Sequence, residues 1–223
     1  MRVVQNPGLK GSLKWIRVLV NQRPEMVEEG LRTLVGSRES VEWLSPLSED
    51  QFAEYRDGSA LKLLGVSKLQ RPLRDFWPAR GPQWDAVARV GEALVLVEAK
   101  AHIPELFSSP SLAKNETSCR KIESALAETK RWLRARPGLD WSERFYQYAN
   151  RLAHLYFLRE VNGLNAHLVF LYFVGDRERK GPTDPREWEA ATAVLHEALG
   201  IRGRKVPGMH HLYVDVGEIE ARP

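Results

Sequence analysis

Residues 83–100 read QWDAVARVGEALVLVEAK. Two candidate hairpin arms, 83–89 and 93–101, flank Gly91-Glu92, a pair suited to a two-residue hairpin loop with glycine first, as a type II′ turn prefers. The run 93–97 is nearly continuous apolar sequence, which predicts a strand buried on both faces. With that loop, Val90 pairs with Ala93, and continuing the register puts Asp85 opposite Glu98. Directly opposed residues have Cβ atoms about 4.5–5.5 Å apart, and like charges there destabilise a sheet. A divalent cation between the carboxylates removes the objection, and oxygen ligands suit Mg²⁺ or Mn²⁺. Lys100 lies two residues beyond Glu98 and so on the same strand face, where it can orient a metal-bound water or neutralise a phosphate oxygen.

The Glu-x-Lys triplet alone carries little weight, because Glu128/Lys130 and Glu178/Lys180 repeat it. Residues two apart on a helix point in different directions, and 128–130 falls on a predicted helix; 178–180 falls in a charged loop. Only Glu98 and Lys100 end an apolar strand. The competing reading is a solvated strand end with a loose salt bridge, but the flanking strand is too apolar to be an edge with an idle charged tip.

Around this core the pattern alternates helices and strands. Residues 12–20 and 25–35 read as short helices broken by Pro24, and 48–64 as a helix opened by Ser48. The stretch 65–82 is loop-like and rich in Arg and Pro. Helices are predicted over 116–135, over 142–161 with Ser142 as N-cap, and over 185–199 from Pro185. Strands are predicted over 166–174 and 211–216. Buried strands joined through helices predict an α/β fold with a mixed sheet flanked by helices. Residues 1–46 are expected to form an N-terminal helical extension, and 47–223 the main domain.

The Asp85…Glu98-Ala99-Lys100 pattern, together with the element order over about 48–174, resembles the PD-(D/E)XK nuclease superfamily. The resemblance implies a restriction-endonuclease-like fold and Mg²⁺-dependent hydrolysis of phosphodiester bonds in DNA or, less favoured, RNA. It implies that Asp85 and Glu98 ligate metal, that the Ala99 carbonyl completes the coordination, and that Lys100 is the catalytic lysine. Trp84 stands where the family often has proline. An acidic residue from the helix before the hairpin often contributes in this family, and Glu54, then Asp57, are the candidates. Some members place a Gln on the helix after the catalytic strand, which points to Gln147; Arg151 stands where a tyrosine sometimes follows it. The superfamily also includes members that have lost cleavage and only bind.

Other residues are weaker candidates. Gln147, Asn150, Arg151 and His154 form one polar stripe at helical spacing. Arg71, Arg74, Arg80 and Arg151, with Lys68, Trp77 and Trp84 nearby, are candidate nucleic-acid contacts. His102 shares the Lys100 face and is a further candidate ligand or base.

Composition bounds these readings. The 223 residues carry 33 Lys and Arg against 29 Asp and Glu, a net charge of +4 that permits a polyanionic partner without requiring one. Apolar content of 43% and charged content of 28% describe a globular chain. The single cysteine, Cys119, excludes an internal disulfide framework and a cysteine-based zinc site. The polar start of the chain, with Pro7-Gly8, lacks the apolar core of a secretory signal, and no apolar run is long enough to cross a bilayer. A cytoplasmic protein without a membrane partner is therefore expected. Nucleases that cut both strands often act as homodimers, and the sequence leaves a homodimer open.

Overall fold

The computed structural model describes residues 1–5, 10–66 and 68–221; Pro7-Gly8 and residue 67 of the loop-like stretch lie outside the described residues. In chain order come β1 (Arg2–Val3), α1 (Gly11–Gln22), α2 (Glu25–Val35), β2 (Val41–Ser45), β3 (Glu54–Arg56), α3 (Asp57–Leu63) and α4 (Leu73–Phe76). They are followed by β4 (Gln83–Trp84), β5 (Ala86–Val90), β6 (Ala93–Lys100), α5 (Glu116–Trp132), α6 (Tyr146–Tyr156), β7 (Ala166–Val174), α7 (Pro185–Ala198), β8 (Met209–Asp215) and α8 (Val216–Glu220). The main sheet has the order β2-β5-β6-β7-β8, and β1-β3-β4 form a small second sheet.

The hairpin has the predicted register. Val90 pairs with Ala93 and Ala86 with Val97, antiparallel. Gly91 has φ +57 and Glu92 does not enter the left-handed region, as a type II′ turn requires. On its other side β6 pairs in parallel with β7, from Leu94 opposite Ala166 to Lys100 opposite Tyr172, and β7 pairs in parallel with β8. The fold is thus α/β, with a mixed main sheet and an antiparallel small one. β6 and β7 are buried along their whole lengths, which is why both read as continuous apolar runs.

Two cores cover the two sheet faces. Leu94, Leu96, Leu168 and Phe170 face Leu152 and Leu155 of α6 and Trp188 of α7. Ala93, Val95, Val97, Ala99 and Phe173 face Trp15, Ile16 and Leu19 of α1 and Val27 and Leu31 of α2. The stretch 1–46, expected as an extension, therefore supplies a layer over one face, and strands to both sheets.

The predicted helix over 48–64 is corrected. A 3₁₀ turn (Ser48–Asp50), strand β3 and the short α3 replace it. Gln51, Phe52 and Asp57 have φ of 56, 52 and 53, which breaks a helical path three times, and β3 is recruited by pairing with Trp84 and Gln83. The long helix over 142–161 also shortens. Ser142 is not its cap: its N–H and hydroxyl donate to the Asp140 carboxylate at 2.7 and 2.6 Å. α6 begins at Tyr146, and a π-helical turn follows it over Phe157–Val161. β2 was not expected from the sequence; it is short and pairs on the edge of β5. Asn115 and Asp184 cap α5 and α7 with side-chain acceptors.

Candidate active site

Period two on β6 carries Leu94, Leu96, Glu98 and Lys100 on the face beneath α6. Glu98 is 1% exposed and Lys100 8% exposed. Glu98 Oε1 accepts from Lys100 Nζ at 2.5 Å, and Oε2 accepts from Arg151 Nε at 2.6 Å. Arg151 comes down from α6. It also donates to the Gln83 carbonyl at 2.7 Å and to Asn150 Oδ1 at 2.9 Å, and its guanidinium carbon stands 4.9 Å from the Trp84 ring. Burial raises the tendency of Glu98 to protonate, but the adjacent Arg151 and Lys100 charges outweigh it and hold its pKa below the ordinary carboxylate value.

Asp85 sits between β4 and β5, one residue past the last hairpin pair. Its Oδ2 accepts from the Ala99 N–H at 2.7 Å. Its pKa is raised well above the ordinary value, first by burial and then by the negative charge of Glu98, with Glu54 adding to the effect and Lys100 opposing it.

Asp85 opens into a polar cleft of about 450 Å³, lined also by Glu54, Arg56, Arg80, Gln147, Asn150 and Arg151. Glu54 lies on β3, not on a helix as expected, and accepts from Gln5 Nε2 at 3.0 Å and from Gln83 Nε2. Asp57 is committed elsewhere: its two oxygens accept from the N–H groups of Gly81 at 2.8 Å and Arg80 at 3.0 Å. A Cβ on Gly81 would lie 2.9 Å from that carboxylate, so only glycine allows the approach. Gln147 Oε1 accepts from Lys100 Nζ at 3.1 Å and Arg151 donates to Glu98, so the polar stripe of α6 meets the charged end of the strand.

The remaining candidates separate. His154, last in the stripe, packs against Trp77 and Trp84, and burial lowers its pKa to about 3, so it is a neutral ring in the core. His102 Nδ1 lies 3.1 Å from the Glu105 carboxylate and is not among the residues lining the cleft. Arg71 pairs with Glu128 at 2.8 Å and Arg74 lies beside Asp75, both away from the cleft; Arg80 and Arg151 line it.

Sequence reading missed Gln83, Arg56 and Gln5. Gln83 joins three parts of the site: its amide donates to Glu54, its Oε1 accepts from Arg56, and its carbonyl accepts from Arg151. The one available signal was its position two residues before Asp85, which puts it on the same side of an extended chain. Gln5 and Arg56 arrive through the pairing of β1 and β4 with β3, which no local pattern announces.

Among the described residues no group of three or more His, Cys, Asp and Glu side chains is arranged to hold a metal ion. The donor set on offer is Asp85 and Glu98. Asp85 lines the cleft, whereas Glu98 is 1% exposed and is not among the lining residues. Each Glu98 oxygen accepts one hydrogen bond and retains a second lone-pair direction. Asp85, with its raised pKa, has most to gain from a cation. No family model, no curated protein and no solved structure matches the chain. No helix among the described residues is long and apolar enough to cross a membrane.

Proposed function

We propose that this protein is a metal-dependent nuclease of the PD-(D/E)XK type, with a restriction-endonuclease-like fold, that hydrolyses phosphodiester bonds in DNA or, less favoured, RNA. The observation that carries the reading is the burial of Glu98 and Lys100 in direct contact, next to an Asp85 that lines the cleft and accepts from the Ala99 N–H. A strand end that merely reached solvent would leave these groups hydrated.

In this reading Asp85 and Glu98 hold Mg²⁺ or Mn²⁺, with the Ala99 carbonyl as the third protein ligand. The bound ion would polarise the phosphate and lower the pKa of a water. Lys100 is fixed by Glu98 and Gln147 through two of its three N–H bonds, and the third, without a partner among the described residues, would hold an attacking water or a phosphate oxygen. Arg151 keeps Glu98 ionised and in place. Glu54 and Arg80 line the space a scissile phosphate would enter. Fixed positions and fixed charges supply the rate.

The test is incubation of wild type, Glu98→Gln and Lys100→Ala with circular, linear and single-stranded substrates plus Mg²⁺ or Mn²⁺. Wild type cleaves, and each variant loses about a hundredfold or more. Equal cleavage by all three assigns the activity to a contaminant. A second reading, a binding module that has lost cleavage, draws on the two cations that already satisfy Glu98. No cleavage by wild type and no calorimetric heat with Mn²⁺ favour that reading.

A further inference from the structure

The acid-lined cleft does not end at Gln147. It runs into a second groove of about 690 Å³, and Arg56, Trp77, Arg80, Tyr146 and Gln147 line both. The far wall of this groove is the irregular segment 107–115. It presents Phe107, 54% exposed, and Leu112, 84% exposed, two of the few large apolar side chains that the described surface leaves in water. Phe107 is held rather than loose: its ring packs on Phe145 with centroids 5.3 Å apart. The segment is anchored to the start of α6, because Ser108 donates its N–H to the Arg144 carbonyl at 2.7 Å and accepts from the Gln147 N–H at 2.9 Å.

The same groove carries cations without carboxylate partners among the described residues. Among the described residues the Arg56 guanidinium hydrogen-bonds to Gln83, and its buried Nε has no partner. Arg80 is presented by the Asp57 clamp on its main chain, at φ +67, and Lys114 also lines the groove. Basic side chains along one track and exposed apolar side chains along its wall match a chain that offers phosphates on one side and bare base faces on the other. A duplex hides its base faces in its own stack. Unpaired bases expose them, and stacking on an aromatic wall is the usual source of single-strand affinity.

We propose that this groove binds single-stranded nucleic acid, with bases packed on Phe107 and Leu112 and phosphates on Arg56, Arg80 and Lys114, and leads one strand to the acid pair. The inference deepens the nuclease reading and rests on it for the polyanionic substrate. The test is fluorescence anisotropy in EDTA with a labelled oligothymidylate, an oligouridylate and a duplex of equal length. It uses wild type and the Phe107→Ala/Leu112→Ala double variant, with melting curves for both. Wild type is expected to hold single strands at least about tenfold more tightly than duplex, and the double variant to lose roughly five- to a hundredfold of single-strand binding without a change in melting temperature. Equal affinity for duplex, or unchanged binding by the double variant, overturns the groove assignment. Cleavage assays on the same samples separate the two readings. Cleavage that is lost in Glu98→Gln, with binding unchanged in the double variant, removes the groove and leaves the nuclease. Groove-dependent single-strand binding with no cleavage in Mg²⁺ or Mn²⁺ supports the groove and removes the nuclease.

Discussion

The two faces of β6 start alike and end differently. On the face toward α1 and α2, Ala93, Val95, Val97, Ala99 and Ala101 stay apolar and buried to the end, with Ala99 and Ala101 at 0% exposure. On the face toward α6, Leu94 and Leu96 give way to Glu98 and Lys100, which remain buried. Had the strand simply run out into water, both faces would turn polar together. Only one does. The charge is therefore a property of what lies beneath α6, where an isolated buried ion costs several kcal/mol and persists only when neighbours neutralise it. Here Arg151 and Lys100 neutralise Glu98, while Asp85 lines the cleft and has no ion pair among the described residues.

The largest effect expected from this contrast comes from breaking the charged face at its centre. Glu98→Ala leaves Lys100 and Arg151 buried without their shared carboxylate and is expected to cost about 3–5 kcal/mol, read by denaturant unfolding. A variant as stable as wild type would mean that the two cations find water and that the face is not closed.

The next effect concerns Asp85. Because its folded pKa is raised, Asp85 contributes stability that is complete below its ordinary value of 3.8 and is lost as pH rises through the folded value. Glu98 has the opposite sign: its contribution is present above its ordinary value of 4.5 and is lost as pH falls through its lowered folded value. Asp85→Asn, which keeps an acceptor for the Ala99 N–H, should thus melt above wild type at neutral pH, with the gap closing in acid. Mn²⁺ should reverse the order. At free ion about a hundred times Kd, binding adds about 2.7 kcal/mol to wild type and nothing to a variant that cannot bind. Melting curves with and without Mn²⁺ that coincide for wild type would remove the metal from the site.

On the apolar face, Ala99→Leu is expected to cost about 1–3 kcal/mol through overpacking against the helix layer, with metal binding retained. Loss of Mn²⁺ binding in that variant would show that the two faces are not independent. The smallest effect is that of Gln147→Ala. It removes one hydrogen bond to Lys100, at about 0.5–1.5 kcal/mol of stability, and lowers turnover while leaving Mn²⁺ affinity unchanged. A fall in Mn²⁺ affinity would move Gln147 from positioning Lys100 to holding the ion.

The hairpin, its loop, its register and the buried parallel strand β7 were legible because each rests on a short-range rule: period two, turn chemistry, or a continuous apolar run. Glu98 and Gln147 both contact Lys100, and Asp85 lies just beyond the last paired residues of the hairpin, where it accepts from the Ala99 N–H. The stretch 48–64 was not legible. Its helical composition is overridden by left-handed residues and by strand pairing with segments that lie far away in the chain. Arg71 and Arg74, candidate nucleic-acid contacts by proximity in sequence, are not among the residues lining the cleft: Arg71 pairs with Glu128 and Arg74 stands exposed beside Asp75.

By itself, then, the sequence determined that Glu98 and Lys100 would share one face at the end of a buried hairpin strand, with Asp85 on the facing arm, because strand geometry fixes which residues share a face. Only the tertiary structure decided which charges surround them. Arg151 reaches Glu98 because α6 crosses that face of the sheet. Gln5, Glu54 and Arg56 enter the cleft because a second small sheet joins residues about fifty positions apart. Electrostatic environment depends on distance through space, and local sequence patterns carry no record of that distance.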